Sequence, residues 1–208
     1  MKKILCVFIL IVSAFGVYAA ENLVKDESFG EDFEYWTPYS YTDGAEIYAE
    51  NGRMVFDAPQ DNHLNVTQKI KVEPNTNYRF SAHVKTENVE ETGSGAVLGF
   101  DYKTSYSESV FGNDEKDIEL YFTTKANEVP IMLSLGGYSS LSRGKAIFSD
   151  IVVEKADSVP ENAKYYEYIN DKKETKTSAG SFDFRWFVLA GLLAAAAAAG
   201  IYTVYSEK

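Results

Sequence analysis

The sequence predicts an all-β sandwich or barrel over residues 20–155, on three observations. Asn51-Gly52 separates two apolar runs, the strongest short-range signal for a β-hairpin. Leu64, Val66, Gln68, Ile70 and Val72 alternate with Asn65, Thr67, Lys69 and Lys71, the two-residue period of a strand with one covered and one wet face. No segment between Asn22 and Lys155 sustains a 3.6-residue apolar period, so no helix is expected there.

Taken in order, Glu46-Ile47-Tyr48-Ala49 and Arg53-Met54-Val55-Phe56 flank the Asn51-Gly52 turn, and the 64–72 strand follows. Pro74-Asn75-Thr76-Asn77 turns the chain into the alternating run Tyr78 to Val84. Residues 96–102, 118–122, 131–135 and 146–153 supply four more strands, with loops expected over 86–95 and 103–116.

The flanks are of a different kind. Residues 1–19 open with Lys2 and Lys3, run through a short apolar core and close on Val17-Tyr18-Ala19, the pattern of a secretory signal peptide. An uncleaved membrane anchor is the alternative reading, disfavoured because that core falls short of the ~20 residues of a comfortable span. Residues 156–183 carry scattered charges and little apolar material, and predict a linker ordered at most over Tyr165-Tyr166-Glu167-Tyr168. Residues 184–205 are free of charge from Trp186 onward and predict a single transmembrane helix, leaving 206–208 as a cytoplasmic tail. Trp186, Phe187, Tyr202 and Tyr205 suit the two interfaces. The expected localisation is therefore a single-pass membrane protein with its domain outside the cytoplasm.

The net charge is −11, and the segment after residue 183 holds only Arg185, Glu207 and Lys208, so the acid excess lies in the domain and linker. A surface of that sign repels phosphate backbones, which excludes nucleic acid as a natural partner. The one cysteine, Cys6, lies inside the signal peptide, so the rest of the chain has no disulfide and must rely on its core.

Four segments, in order, resemble the carbohydrate-binding modules of families four and nine. They are Asn22-Leu23-Val24-Lys25-Asp26-Glu27-Ser28-Phe29 with Trp36 downstream; Val66 to Val72 with Pro74, Asn75 and Tyr78 to Lys85; Ile118 to Thr123; and Gly144 to Val153. The resemblance covers residues 22–155 and implies a jelly roll of the galactose-binding-like group. It implies that Trp36 packs in the core and that Gln68 and Arg79 stand on strands lining a binding face. It also implies a structural calcium, for which Asp26 and Asp150 are the best pair. Gly30 and Ser149 stand where the family commonly has acids, so both aspartates read equally well as solvent or loop-capping carboxylates.

Tyrosines dominate the remaining chemistry. Tyr39, Tyr41, Tyr48, Tyr102, Tyr106 and Tyr138 all fall within the domain. Sugar rings present apolar C–H faces that stack on aromatic planes, while their hydroxyls need planar polar partners. Tyr48, Gln68, Arg79, Tyr102 and Tyr138 are accordingly the expected glycan-binding residues, the alternative being that the rings cover core or surface. His63 and His83 lack a second histidine or a cysteine at ligand spacing, and both read as hydrogen-bonded bystanders. No nucleophile elbow or phosphate-binding loop is present, and the many carboxylates offer no way to select a glycosidase pair. The expectation is non-catalytic glycan binding, with a structural or protein-interaction module of an envelope assembly as the rival; the glycan and the oligomeric state are not legible.

Overall fold

The computed structural model describes residues 21–27, 29, 33–100 and 105–169. The expected signal peptide, the later part of the linker, the apolar segment 184–205 and the tail lie outside the described residues. Among the described residues, ten strands form two sheets. In spatial order the four-stranded sheet is β1 (Thr37–Ser40), β4 (Leu64–Lys71), β8 (Glu128–Leu135) and β6 (Ala96–Phe100). The six-stranded sheet is β10 (Tyr165–Tyr168), β7 (Glu115–Thr124), β5 (Tyr78–Glu87), β9 (Ser142–Lys155), β3 (Arg53–Asn62) and β2 (Glu46–Glu50). All neighbours are antiparallel except β10, which runs parallel to β7.

Local chemistry explains the regular parts. The β2–β3 hairpin closes with Asn51 and Gly52 both at positive φ (51° and 73°), the conformation that a two-residue loop needs to match strand twist. In β5 the even positions Tyr78, Phe80, Ala82, Val84 and Thr86 are buried, while Arg79, Ser81, His83, Lys85 and Glu87 face outward. From the other sheet, Leu64, Val66, Leu98, Phe100, Ile131 and Leu133 meet them in one core. Phe100 joins the sheets most directly, with its ring 4.8 Å from that of Phe122 and 6.5 Å from that of Phe80. Trp36 packs in this core as the resemblance implies, 5.6 Å from the ring of Phe29. The result is an all-β sandwich.

Two details place later residues. Pairing of β9 with β5 shifts by one residue between Ser81 and His83, and Asp150 occupies this bulge at φ 51°, which a short polar side chain tolerates. Beyond β6, Tyr106 bridges Gly99 and Val110 bridges Ala96, so residues 106–110 extend the four-stranded sheet where a loop over 103–116 was expected.

The start of the expected linker is a correction. Residues 165–168 are a strand of the sandwich, held in register with Tyr121 to Thr124 and preceded by a Tyr121 N–H to Lys164 carbonyl bond of 2.7 Å. Tyr166 and Tyr168 pack against the core, which is why this short segment belongs to the domain.

Candidate functional site

Of the five residues expected to bind glycan, the four that are described divide between an outer face, the interior and a turn. Tyr48 stands opposite Val55 on the face of the six-stranded sheet that points away from the core, half-buried. Arg79 is on the same outer face, its Nε 2.6 Å from Glu119 and its Nη1 3.3 Å from Glu154. The hydrogen bond that Arg79 donates to Glu119 raises the Arg79 pKa and ties the guanidinium to this ladder. Gln68 points between the sheets, in line with Leu64, Val66 and Ile70. Its Oε1 accepts the Lys25 N–H (2.8 Å) and its Nε2 donates to the Lys25 carbonyl (2.7 Å), a side-chain imitation of a strand ladder that fastens the N-terminal segment. Tyr138 projects from the turn between β8 and β9, 83% exposed. Tyr102 lies outside the described residues.

Asp26 follows Lys25 in the N-terminal segment and its carbonyl accepts from Trp36 Nε1 at 3.4 Å. Asp150 sits in the β9 bulge with Ser149 Oγ 3.1 Å from its carboxylate. Among the described residues no group of three or more His, Cys, Asp or Glu side chains could hold a metal ion.

A different site emerges where β3 becomes β4. The chain leaves the six-stranded sheet at Asn62 and enters the four-stranded sheet at Leu64, with His63 alone between them. Asn62 is fully buried and organises this corner. Its Oδ1 accepts the N–H groups of Tyr41 (3.2 Å), Thr42 (3.0 Å) and His63 (2.8 Å). Its Nδ2 donates to Ser40 Oγ (3.2 Å) and to the Thr42 carbonyl (3.0 Å). The β8–β9 turn presses on the same corner: Gly136 has φ 81°, and a Cβ there would lie 2.4 Å from the Asn62 carbonyl oxygen, so only glycine fits. One residue thus brings the Tyr41 turn and the Tyr138 turn to one end of the sandwich.

The outer face of the four-stranded sheet begins at that end. Antiparallel register sets Tyr39 opposite Asn65, Asn65 opposite Ser134 and Ser134 opposite Val97, all on one face. Tyr39 is 40% exposed and its ring meets the His63 imidazole edge-on at 5.8 Å. Asn65 is completely buried; its Nδ2 lies 3.2 Å from His63 Nε2, and its Oδ1 has no hydrogen-bond partner among the described residues. Turning the amide over only exchanges which atom is orphaned. Tyr106 completes the face. Its ring lies over Gly99, where a Cβ would be 2.7 Å from Cδ1, and its hydroxyl accepts the Tyr138 backbone N–H. Burial raises its pKa, so it stays a neutral phenol. The alternation at 64–72 marks Asn65 as solvent-facing; it is buried instead, with Tyr39 opposite it and His63 against its amide. The legible signal was the polar run Asn62-His63-Leu64-Asn65 at a strand junction, together with the Tyr39, Tyr106 and Tyr138 rings.

The two histidines respond to acid in opposite ways. Burial lowers the His63 pKa below the ordinary 6.5, so the unfolded chain binds the proton first and stability falls as pH drops below 6.5. On the far face, His83 bonds Asp117 through Nδ1 (2.8 Å) and Glu115 through Nε2 (3.1 Å), and these carboxylates raise its pKa. Its stabilising contribution is full below 6.5 and lost as pH rises through the raised value. Urea midpoints between pH 5 and 8.5 are expected to show His63→Gln removing part of the acid-side loss. His83→Gln is expected to destabilise at pH 5.5 by about 0.2–1 kcal/mol for each exposed pair and to be neutral at pH 8.5. The same slope in both variants as in the wild type would contradict these assignments.

No family model matches the chain, and no curated protein matches it. Among solved structures it is similar to the enzymatically active domain of bacteriophage CBA120 tailspike protein 4, at 17% identity and a TM-score of 0.48 over 65% of this chain. The match spans 21% of the tailspike chain. It is also similar to a CBM4 structure (16% identity, TM-score 0.42, 65% of this chain and 95% of that one). A third is TmCBM61 in complex with beta-1,4-galactotriose (14% identity, TM-score 0.40, 66% and 100%).

Proposed function

We propose that the chain is a non-catalytic glycan-binding module on a jelly-roll-type sandwich. In this reading it is exported by residues 1–19 and held at the extracytoplasmic face of a membrane by residues 184–205. The observation that carries the reading is that Tyr39 and Tyr106 lie on the outer face of the four-stranded sheet, at its two edges, with the Tyr138 turn bonded to the Tyr106 hydroxyl. Aromatic planes supply stacking surface for sugar C–H faces, and the exposed phenols of Tyr39 and Tyr138 supply hydroxyl partners. The site residues are then Tyr39, Tyr106 and Tyr138, with Asn65 and His63 behind them. Tyr48 and Arg79 belong to the opposite side, and Gln68 to the interior. The glycan is neutral, because the domain's acid excess repels uronates and sulfated chains.

Full-length protein, expected to stay with membranes through an alkaline wash, is tested on a glycan array against neutral and acidic polysaccharides. The double variant Tyr39→Ala/Tyr138→Ala is expected to bind about 10–100-fold more weakly, at about 0.5–1.5 kcal/mol for each lost stacking ring and 1.4 kcal/mol per tenfold. Its melting temperature should stay near that of the wild type, because both rings are substantially exposed. Absence of any bound glycan, or unchanged affinity in the double variant, would pass the case to a structural or protein-interaction role.

A further inference from the structure

The C-terminal strand β10 belongs to the six-stranded sheet, yet one of its side chains crosses to the other sheet. The Tyr166 hydroxyl donates to the Tyr106 carbonyl oxygen at 2.8 Å. Tyr106 starts the segment that extends the four-stranded sheet beyond β6, and its ring lies on the outer face over Gly99 with its hydroxyl on the Tyr138 N–H. Tyr106 is therefore held at both ends: by Tyr166 at its backbone and by the β8–β9 turn at its phenol. The strand that carries Tyr166 is firmly seated, by four residues of register on β7 and by the Tyr168 ring 6.0 Å from Phe100.

We propose that Tyr166 is a positioning residue for the tyrosine face: its hydroxyl fixes the Tyr106 carbonyl, and through it the ring that a glycan would meet. The proposal rests on the glycan-binding reading for its functional consequence but not for its structural one. The physical reason is geometric. Residues 101–104 join β6 to the Tyr106 segment, and between Gly99 and Ala96 the pairing with that segment slips by one residue, so the β6 edge alone registers Tyr106 weakly. An added hydrogen bond from a different sheet removes that freedom. It follows that the residues after Lys155 complete the binding face as well as leading away from it, and that a fragment ending before residue 165 loses this support.

The test is Tyr166→Phe in the full-length protein, which keeps the ring in the core and removes only the donor. Tyr165→Phe, an exposed neighbour on the same strand, is the control. Hydrogen exchange is expected to quicken by roughly fivefold, the worth of one ordinary hydrogen bond, at the amides of Ser107, Val110 and Tyr138. Amides of β5 and β9 that open only locally should exchange as before, and the melting temperature should fall by no more than about 2–4 °C. Affinity for whichever neutral glycan the array identifies should fall by a similar factor, with Tyr165→Phe unchanged. Restoring the donor with 3-fluorotyrosine at position 166 should restore both readouts. Unchanged exchange at Val110 and Tyr138, or faster exchange throughout both sheets, would overturn the positioning role. If the wild type binds no glycan the functional reading fails, and local exchange still decides whether Tyr166 positions Tyr106.

Discussion

Asn62→Ala is expected to cost about 3 kcal/mol and to lower the melting temperature by about 6–12 °C. The side chain is fully buried and makes five hydrogen bonds, three of them to backbone N–H groups of the Tyr41, Thr42 and His63 segment. Removing one partner of a buried bond costs about 1–3 kcal/mol because the other is left unpaired. The total stays below the simple multiple because Tyr41 N–H also reaches the His63 carbonyl at 3.2 Å, and because the turn lies close to water. Asn62→Asp separates the two halves of the role. It keeps the acceptor for three N–H groups and loses the donors to Ser40 and Thr42, so an intermediate loss is expected at neutral pH. Thermal melts of both variants decide the matter: a change under about 2 °C for Asn62→Ala would mean that the corner is held by the chain path alone. The same variant should weaken glycan binding without touching any ring, since the turn that follows Tyr39 hangs from this side chain.

Phe122→Ala is expected to be as damaging, at about 3–5 kcal/mol, for a different reason. Phe122 is completely buried, stacked on Tyr78 at 5.2 Å and 21°, and set edge-on to Phe100 at 4.8 Å and 66°. Truncation leaves a cavity at the point where the two sheets meet, and the two rings around it belong to different sheets that cannot both move inward. Phe122→Leu should recover most of the loss by refilling the volume. Denaturant midpoints give both values, and a cost below about 1 kcal/mol for the alanine variant would show that this junction repacks freely.

The strands were legible because their information is local. The 64–72 and 78–84 runs carry a two-residue period, and Asn51-Gly52 names its own turn type, so β2 to β5 follow from neighbours in sequence. β10 was not legible as part of the domain: Tyr165-Tyr166-Glu167-Tyr168 is four residues long, and its partner β7 lies far away in the chain. The site was legible only in its residue type. Alternation says which side chains of one strand share a face, but not which sheet that strand joins. Tyr48 and Arg79 were therefore grouped with Tyr138 although they occupy the outer face of the other sheet. Gln68 was misread for a related reason. A glutamine at an inward position signals an unusual demand, and here the demand is to pair with Lys25 on the N-terminal segment. Asn65 looked solvated because its partner Tyr39 comes from another strand, which alternation along β4 does not reveal.

The position of β9 has a consequence in time. It lies between β5 and β3, so the six-stranded sheet exists as two separate pieces, β2–β3 and β5–β7, until residues 142–155 have been synthesised. Until then β3 and β5 each present a bare edge, and a nascent chain cannot close its sandwich by adding strands one after another. Completion waits for a late strand that must find two partners far upstream, which places folding in the slow range of milliseconds to seconds typical of non-local β topologies. During that interval the open edges of β3 and β5 are the places where a second copy could pair instead, so the yield of folded protein should depend on keeping emerging chains apart until β9 has been inserted.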